Sequence, residues 1–275
     1  MIHFTPTFEV IDTARNVKKF IKDNMATFWE VLKPLAPFIA GLYIFDLIIT
    51  SFFMPIDNET GQRTEFSLGS IIAGYFYTCL AITWHRVVIH GNENFTPMNP
   101  FKPKKSELAF IGMGMLLFIG TFAISFILGF GAALISPILI IFLVPLSLIA
   151  MFIWMKCMFY FPSKATGNSI TLKQSYKMTK GYVWKLFASY VWASFILFLI
   201  VLAYAIGGAM ILGLLLFAIN SIAASLAPIF TVILGAAFIL PLALFFQPIF
   251  AIIWVTVLSN YYQYVLQNGA KENND

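Results

Sequence analysis

Charge is scarce in this chain. Of 275 residues only 11% are Asp, Glu, Lys or Arg, where an average soluble domain carries roughly 25%. Too few hydrated groups remain to cover a globular surface, so a compact water-soluble fold is excluded. Cysteine is also rare, with Cys79 and Cys157 both inside apolar stretches. That excludes a disulfide framework, and no histidine lies at ligand spacing from either thiol to make a zinc site. A Ser-His-acid arrangement, a Walker-type loop and a dinucleotide fingerprint are all missing. Disorder is excluded for the opposite reason: the chain is 60% hydrophobic and 17% aromatic. The composition therefore predicts an all-α, polytopic integral membrane helical bundle.

A span needs roughly 20 apolar residues to cross ~30 Å of hydrocarbon. Apolar blocks of that size predict spans near 34–54, 66–89, 108–130, 137–161, 184–206 and 238–264. The turn between the third and fourth falls around Gly129, Gly131 and Ser136–Pro137, where a tight turn is chemically easy. Residues 186–266 carry no charge, too long a stretch for two spans and awkward for three. Lys and Arg collect in cytoplasmic loops, and if every block is a hairpin all of them except Arg63 fall on one side. The last block must then cross an even number of times. Two spans joined by an apolar outer-surface or re-entrant segment around Gly207–Pro228 satisfy this, and four crossings keep the same parity. The expectation is six spans as three hairpins in a bacterial cytoplasmic (inner) membrane, with both termini cytoplasmic and a short polar tail at 267–275.

Residues 1–33 lack the apolar core of a signal peptide and read as an amphipathic interfacial helix. Thr5 is the expected N-cap and Pro6 the first helical residue. Val10, Ala14, Val17, Ile21, Met25, Phe28 and Leu32 recur in steps of three and four along one face. Arg15, Lys19 and Lys22 lie opposite, positioned for anionic headgroups. The alternative is an ordinary helix packed on loops. Lys173, Lys177 and Lys180 repeat the same four-then-three spacing before a later hairpin, on a short helix that Ser169 or Thr171 can cap. The middle unit departs from this pattern, because Pro100 and Pro103 forbid a regular helix around Lys102–Lys105. Anionic membrane lipids, and further membrane-protein subunits, are the expected partners. Nucleic acid is not, since the basic segments adjoin spans throughout.

Asp46 is the one acid deep in a predicted span, where an unpartnered carboxylate costs about 2.5–3.5 kcal/mol on insertion scales. Arg86, Lys156 and Gln247 are its candidate partners, together with nearby hydroxyls. Such a group reads either as a proton or cation site or as a polar clamp between helices, and its isolation from a second acid favours the clamp. His85, Arg86, His90 and Glu93 invite a metal site, but the further carboxylates it would need are missing, and interfacial anchoring beside Trp84 is simpler. Ser70/Gly74 and Ala203/Gly207 have the small-xxx-small spacing that permits close helix contact within the chain. No catalytic, metal or cofactor site is expected.

Phe161-Pro162, then Ser175-Tyr176-Lys177-Met178-Thr179-Lys180-Gly181 and Trp184-Lys185-Leu186 form a further pattern. It resembles the loop of the membrane domain joined to some bacterial glycerophosphoryl diester phosphodiesterases, and of the related YciC-like inner-membrane proteins. The stretch Pro248 through Trp254 to Tyr261-Tyr262 is similar to that family's final helix. The resemblance covers roughly residues 140–265, while the N-terminal third matches only in layout. It implies a six-helix membrane module without catalytic residues of its own. The phosphodiesterase domain is expected to be absent, so no active-site residue carries over. A non-catalytic membrane protein acting by lipid contact or as an accessory subunit is therefore the leading expectation. A small transporter or channel around Asp46 comes second, and a membrane-embedded lipid enzyme third.

Overall fold

Backbone amides in hydrocarbon have no water to bond, so long apolar runs satisfy themselves as helices. The computed structural model describes residues 6–54, 67–134, 140–168, 170–223 and 226–272, and among these it is helical with no strand. Leu68–His90, Val183–Ile219 and Pro228–Asn268 are each long and apolar enough to cross a membrane, and Met25–Leu32 with Ala36–Phe52 forms a fourth such unit bent by 58°.

The N-terminal stretch is two helices rather than one, α1 (Val10–Asp23) and α2 (Met25–Leu32). Asn24 separates them, turning its side-chain amide onto the Phe20 carbonyl at 2.9 Å. Short polar side chains compete with the helix ladder in this way. Because α1 starts behind Glu9, Pro6 lies outside it, and the expected cap Thr5 lies outside the described residues. The apolar stripe also differs in what it meets. Ala14, Val17, Phe20 and Ile21 are buried, and α1 packs on α9 and α11 of its own chain rather than turning that stripe to acyl chains. Arg15, Lys19 and Lys22 remain exposed on the other side.

After the elbow at Lys33–Leu35 come α3 (Ala36–Phe52) and α4 (Leu68–His90), which pack on each other. The loop bearing Pro100 and Pro103 is irregular, as expected, and α5 (Lys105–Leu134) begins just beyond it. This helix runs through Gly129 and Gly131, so the expected turn is not there; Ser136 and Pro137 lie outside the described residues. Then follow α6 (Ile140–Cys157), α7 (Tyr160–Ala165) and α8 (Leu172–Met178). Thr171 caps α8 in a reciprocal box with Gln174; Ser169 lies outside the described residues.

The largest departure from expectation is in the uncharged C-terminal block. Instead of a skimming segment around Gly207–Pro228, α9 (Val183–Ala223) is one helix of 41 residues, about 60 Å long. It is followed by α10 (Ala227–Pro241). Gly207 and Gly208 do not end α9, because a helix terminus in apolar surroundings would strand its carbonyls. Gly208 instead gives Phe238 room: a Cβ there would meet the Phe238 ring at 2.2 Å. The Ser70/Gly74 and Ala203/Gly207 glycines have open space around them. The close approaches fall one position beside Gly207, at Gly208, and at Gly69.

Between α10 and α11 (Gln247–Glu272) lies a π-helical turn, Leu242–Phe246. Pro241 and Pro248 bracket it, and such wider turns relieve a proline's clash with the preceding turn. The Gln247 amide donates to Leu242 O. The next bond in that series would run from residue 248 to Ala243 O, but Pro248 has no N–H. Tyr77 of α4 supplies the donor instead, its hydroxyl 2.7 Å from Ala243 O. Tyr77→Phe should therefore destabilise the protein by about 1–2 kcal/mol, read as a lowered unfolding midpoint in detergent with unchanged far-ultraviolet circular dichroism.

The packed core sits where α4, α11, α7 and the N-terminal helices converge, around Trp84, Phe28, Phe159, Tyr261 and Tyr262, all below 2% exposure. Elsewhere the helices turn apolar side chains outward: Met115, Leu116, Ile119 and Phe122 on α5, Phe195, Ile196 and Leu199 on α9. Soluble monomers rarely expose contiguous apolar surface on this scale.

Candidate functional site

Asp46 is 6% exposed and serves as a helix cap. Its Oδ1 accepts from Gly69 N, and its Oδ2 accepts from Ser70 N and Ser70 Oγ, each at 2.7 Å. These amides are the second and third of α4, the ones a capping side chain normally satisfies. Ser67, at the cap position itself, makes no such bond. A carboxylate from α3 thus neutralises the N-terminal orphans and the positive dipole end of α4. Gly69 is required here by close approach, since a Cβ would lie 2.3 Å from Leu42 O and 2.9 Å from Asp46 Oδ1. The acid accordingly sits beside the first turn of α4 and is held by that helix's backbone.

Of the expected partners a nearby hydroxyl, Ser70 Oγ, bonds Asp46, while Arg86, Lys156 and Gln247 do not. Arg86 lies at the opposite end of α4 and joins four segments. Its Nη2 meets Glu107 Oε1 of α5 at 2.6 Å, its Nε donates to Ala165 O at the C-terminal end of α7 at 2.6 Å, and its Nη1 donates to Thr96 O at 2.9 Å. Glu107 Oε2 accepts from Lys104 N at 2.6 Å, so the same carboxylate caps α5. Both side chains are buried, at 9% and 2% exposure. Lys156 lies over the Phe152 and Tyr176 rings, with Nζ 3.2 Å from the Tyr176 hydroxyl. Gln247 Oε1 accepts from Tyr43 at 3.0 Å. The four predicted residues therefore occupy separate clusters.

Around Arg86 the end of the bundle at the C-terminus of α4 is a polar layer. Trp84 Nε1 donates to Thr256, and His85 Nδ1 lies 2.7 Å from Ser259 Oγ. Asn260 grips Thr7 through both its amide N–H and its carbonyl at 2.9 Å, and Ser189 meets Tyr261. His85 and Ser259 are 1% and 0% exposed, so the pair is closed to a substrate. His90 and Glu93 are exposed, and no group of three or more His, Cys, Asp or Glu among the described residues could hold a metal.

Glu107, Tyr77, Ser259 and Asn260 went unmarked in the sequence. For α11 a signal existed: Thr256, Ser259, Asn260 and Gln263 form a polar stripe at helical spacing. The segment 175–181 also acts through packing. Ser175 and Thr179 both donate to the Lys156 carbonyl at the end of α6, at 3.3 and 2.9 Å, and Gly181 turns out of α8 with φ +85°. Lys173, Lys177 and Lys180 stay exposed around this dock.

The helices and apolar exterior define a membrane-embedded, all-helical protein. No family model matches the chain, and neither a curated protein nor a solved structure is significantly similar to it.

Proposed function

We propose that this is a non-catalytic, multi-pass protein of a bacterial cytoplasmic membrane, acting through lipid contact or as an accessory subunit of a larger membrane complex. One observation carries it: the polar side chains along the spans are consumed by partners within the chain. Among the described residues Gln263 Oε1 is the single buried side-chain polar atom without a hydrogen bond. A transport path needs polar groups free to exchange ions or protons, whereas here Asp46 is engaged in capping α4. The exposed cations Lys19, Lys22, Lys173, Lys177 and Lys180, together with Arg15 beside Asp12, are suited to anionic headgroups. Six crossings with both termini cytoplasmic agree with the positive loops, and the resemblance to YciC-like proteins points the same way.

Reconstitution in vesicles tests this. The expected result is retention of anionic phospholipid that falls when Lys173, Lys177 and Lys180 are all replaced by Gln, with proton and ion flux no higher than in empty vesicles. Flux above that background, abolished by Asp46→Asn in a protein that stays folded, would establish a transporter instead. Reporter fusions near Asn58 and beyond Gly269 test the threading, and opposite compartments are expected.

A further inference from the structure

The bend between α2 and α3 separates two concavities. One, of about 650 Å³, is floored by Ala36, Pro37 and Leu244 and walled by Trp29. The other, of about 720 Å³, lies under the 95–101 loop and is walled by Phe38, Phe95 and Phe101. Glu30 lines both, and Lys33 lines the first. Both residues are exposed, and among the described residues neither side chain makes an ion pair or hydrogen bond, although they stand three positions apart on one helical turn. Trp29, stacked on Phe245 at 6.1 Å, and Phe38, stacked on Phe76 at 5.3 Å and edge-on to Phe101 at 5.7 Å, hold the aromatic walls in place.

An unpaired carboxylate among aromatic faces attracts a cation, and the neighbouring ammonium of Lys33 attracts a phosphate. A small soluble cation would leave the apolar floor empty. An anionic phospholipid would set its net charge against Glu30. A choline headgroup satisfies the rings but has no N–H for the carboxylate. We propose that the α2–α3 elbow binds a membrane phospholipid whose headgroup ends in a primary ammonium. The ammonium sits at Glu30, the phosphate at Lys33, and an acyl chain lies in the groove toward Leu244. This rests on the membrane placement proposed above.

The test uses the full chain in nanodiscs of equal phosphatidylethanolamine, phosphatidylglycerol and phosphatidylcholine, followed by mass spectrometry of the lipids retained on gentle extraction. Phosphatidylethanolamine should be enriched in the wild type. Glu30→Gln should reduce that enrichment about three- to tenfold, the scale of one partly solvated charge-assisted bond. Phe101→Ala, 70% exposed and outside the core, should lower it in the same direction. Replacing Lys173, Lys177 and Lys180 with Gln should leave it unchanged. Equal retention of phosphatidylethanolamine by wild type and Glu30→Gln at unchanged melting temperature, or enrichment of phosphatidylglycerol or phosphatidylcholine at this elbow, would overturn the proposal. If the three distal lysines still govern anionic lipid in that case, only the elbow site falls. A chain that fails to enter nanodiscs would remove the membrane placement and this site together.

Discussion

Glu107→Gln should unfold the detergent-solubilised protein at a markedly lower temperature, with a loss of about 3–5 kcal/mol, the usual consequence of removing one member of a buried ion pair. The size follows from what stays behind. Arg86 keeps its bonds to Ala165 O and Thr96 O, but its Nη2 loses the carboxylate charge while 9% exposed. The α5 cap weakens as well, because Lys104 N then meets an amide in place of a carboxylate. A double replacement, Arg86→Met with Glu107→Met, should recover part of the loss, since an apolar pair leaves no uncompensated charge. Recovery stays incomplete because the Ala165 and Thr96 carbonyls lose their donor. Thermal unfolding followed by tryptophan fluorescence reads all three variants. Equal midpoints for wild type and Glu107→Gln would show that the pair contributes nothing net.

Asp46→Ala should cost about 2–3 kcal/mol, combining a lost N-cap with two amides left buried and unsatisfied. Gly69→Ala should cost about 1–3 kcal/mol by overpacking, since its new Cβ meets the backbone of Leu42. The two effects should not add. Both act on one contact between α3 and α4, and removing the carboxylate also removes one of the atoms the Cβ would strike. Hydrogen exchange should locate the damage: the amides of Gly69 and Ser70 should lose protection in Asp46→Ala, while those near Arg86 at the far end of α4 keep theirs. Uniform loss along α4 would argue against a local cap.

Much of the architecture is legible from residue order. The apolar blocks fall on helices throughout the described residues, three of them long and apolar enough to cross a membrane, or four with the bent α2–α3 pair, because hydrophobicity is a sum over neighbouring side chains. The α1 stripe was likewise readable, as was a cap for α8 at Ser169 or Thr171, of which Thr171 does cap it, since both depend on residues within a turn or two. The break around Gly207–Pro228 was not. Glycine often ends helices in water, where freed carbonyls are solvated, but α9 lies among apolar groups and continues to Ala223.

Within the candidate sites the division is sharper. Sequence marked Asp46 as a group that needs a partner, by the cost of leaving a carboxylate alone in an apolar layer, and offered Arg86 as one candidate for it. It named nearby hydroxyls, of which Ser70 Oγ is one, but not the backbone groups that supply most of the bonds. Asp46 is satisfied largely by the amides of Gly69 and Ser70, Arg86 in part by the carbonyls of Ala165 and Thr96, and Asn260 by the backbone of Thr7. Backbone groups are the same at almost every position, so no residue pattern announces which of them a distant side chain will meet. Hydrophobic content alone determined that this chain forms membrane helices; the tertiary fold decided which buried polar groups meet, because that choice depends on where helix ends come to rest in space.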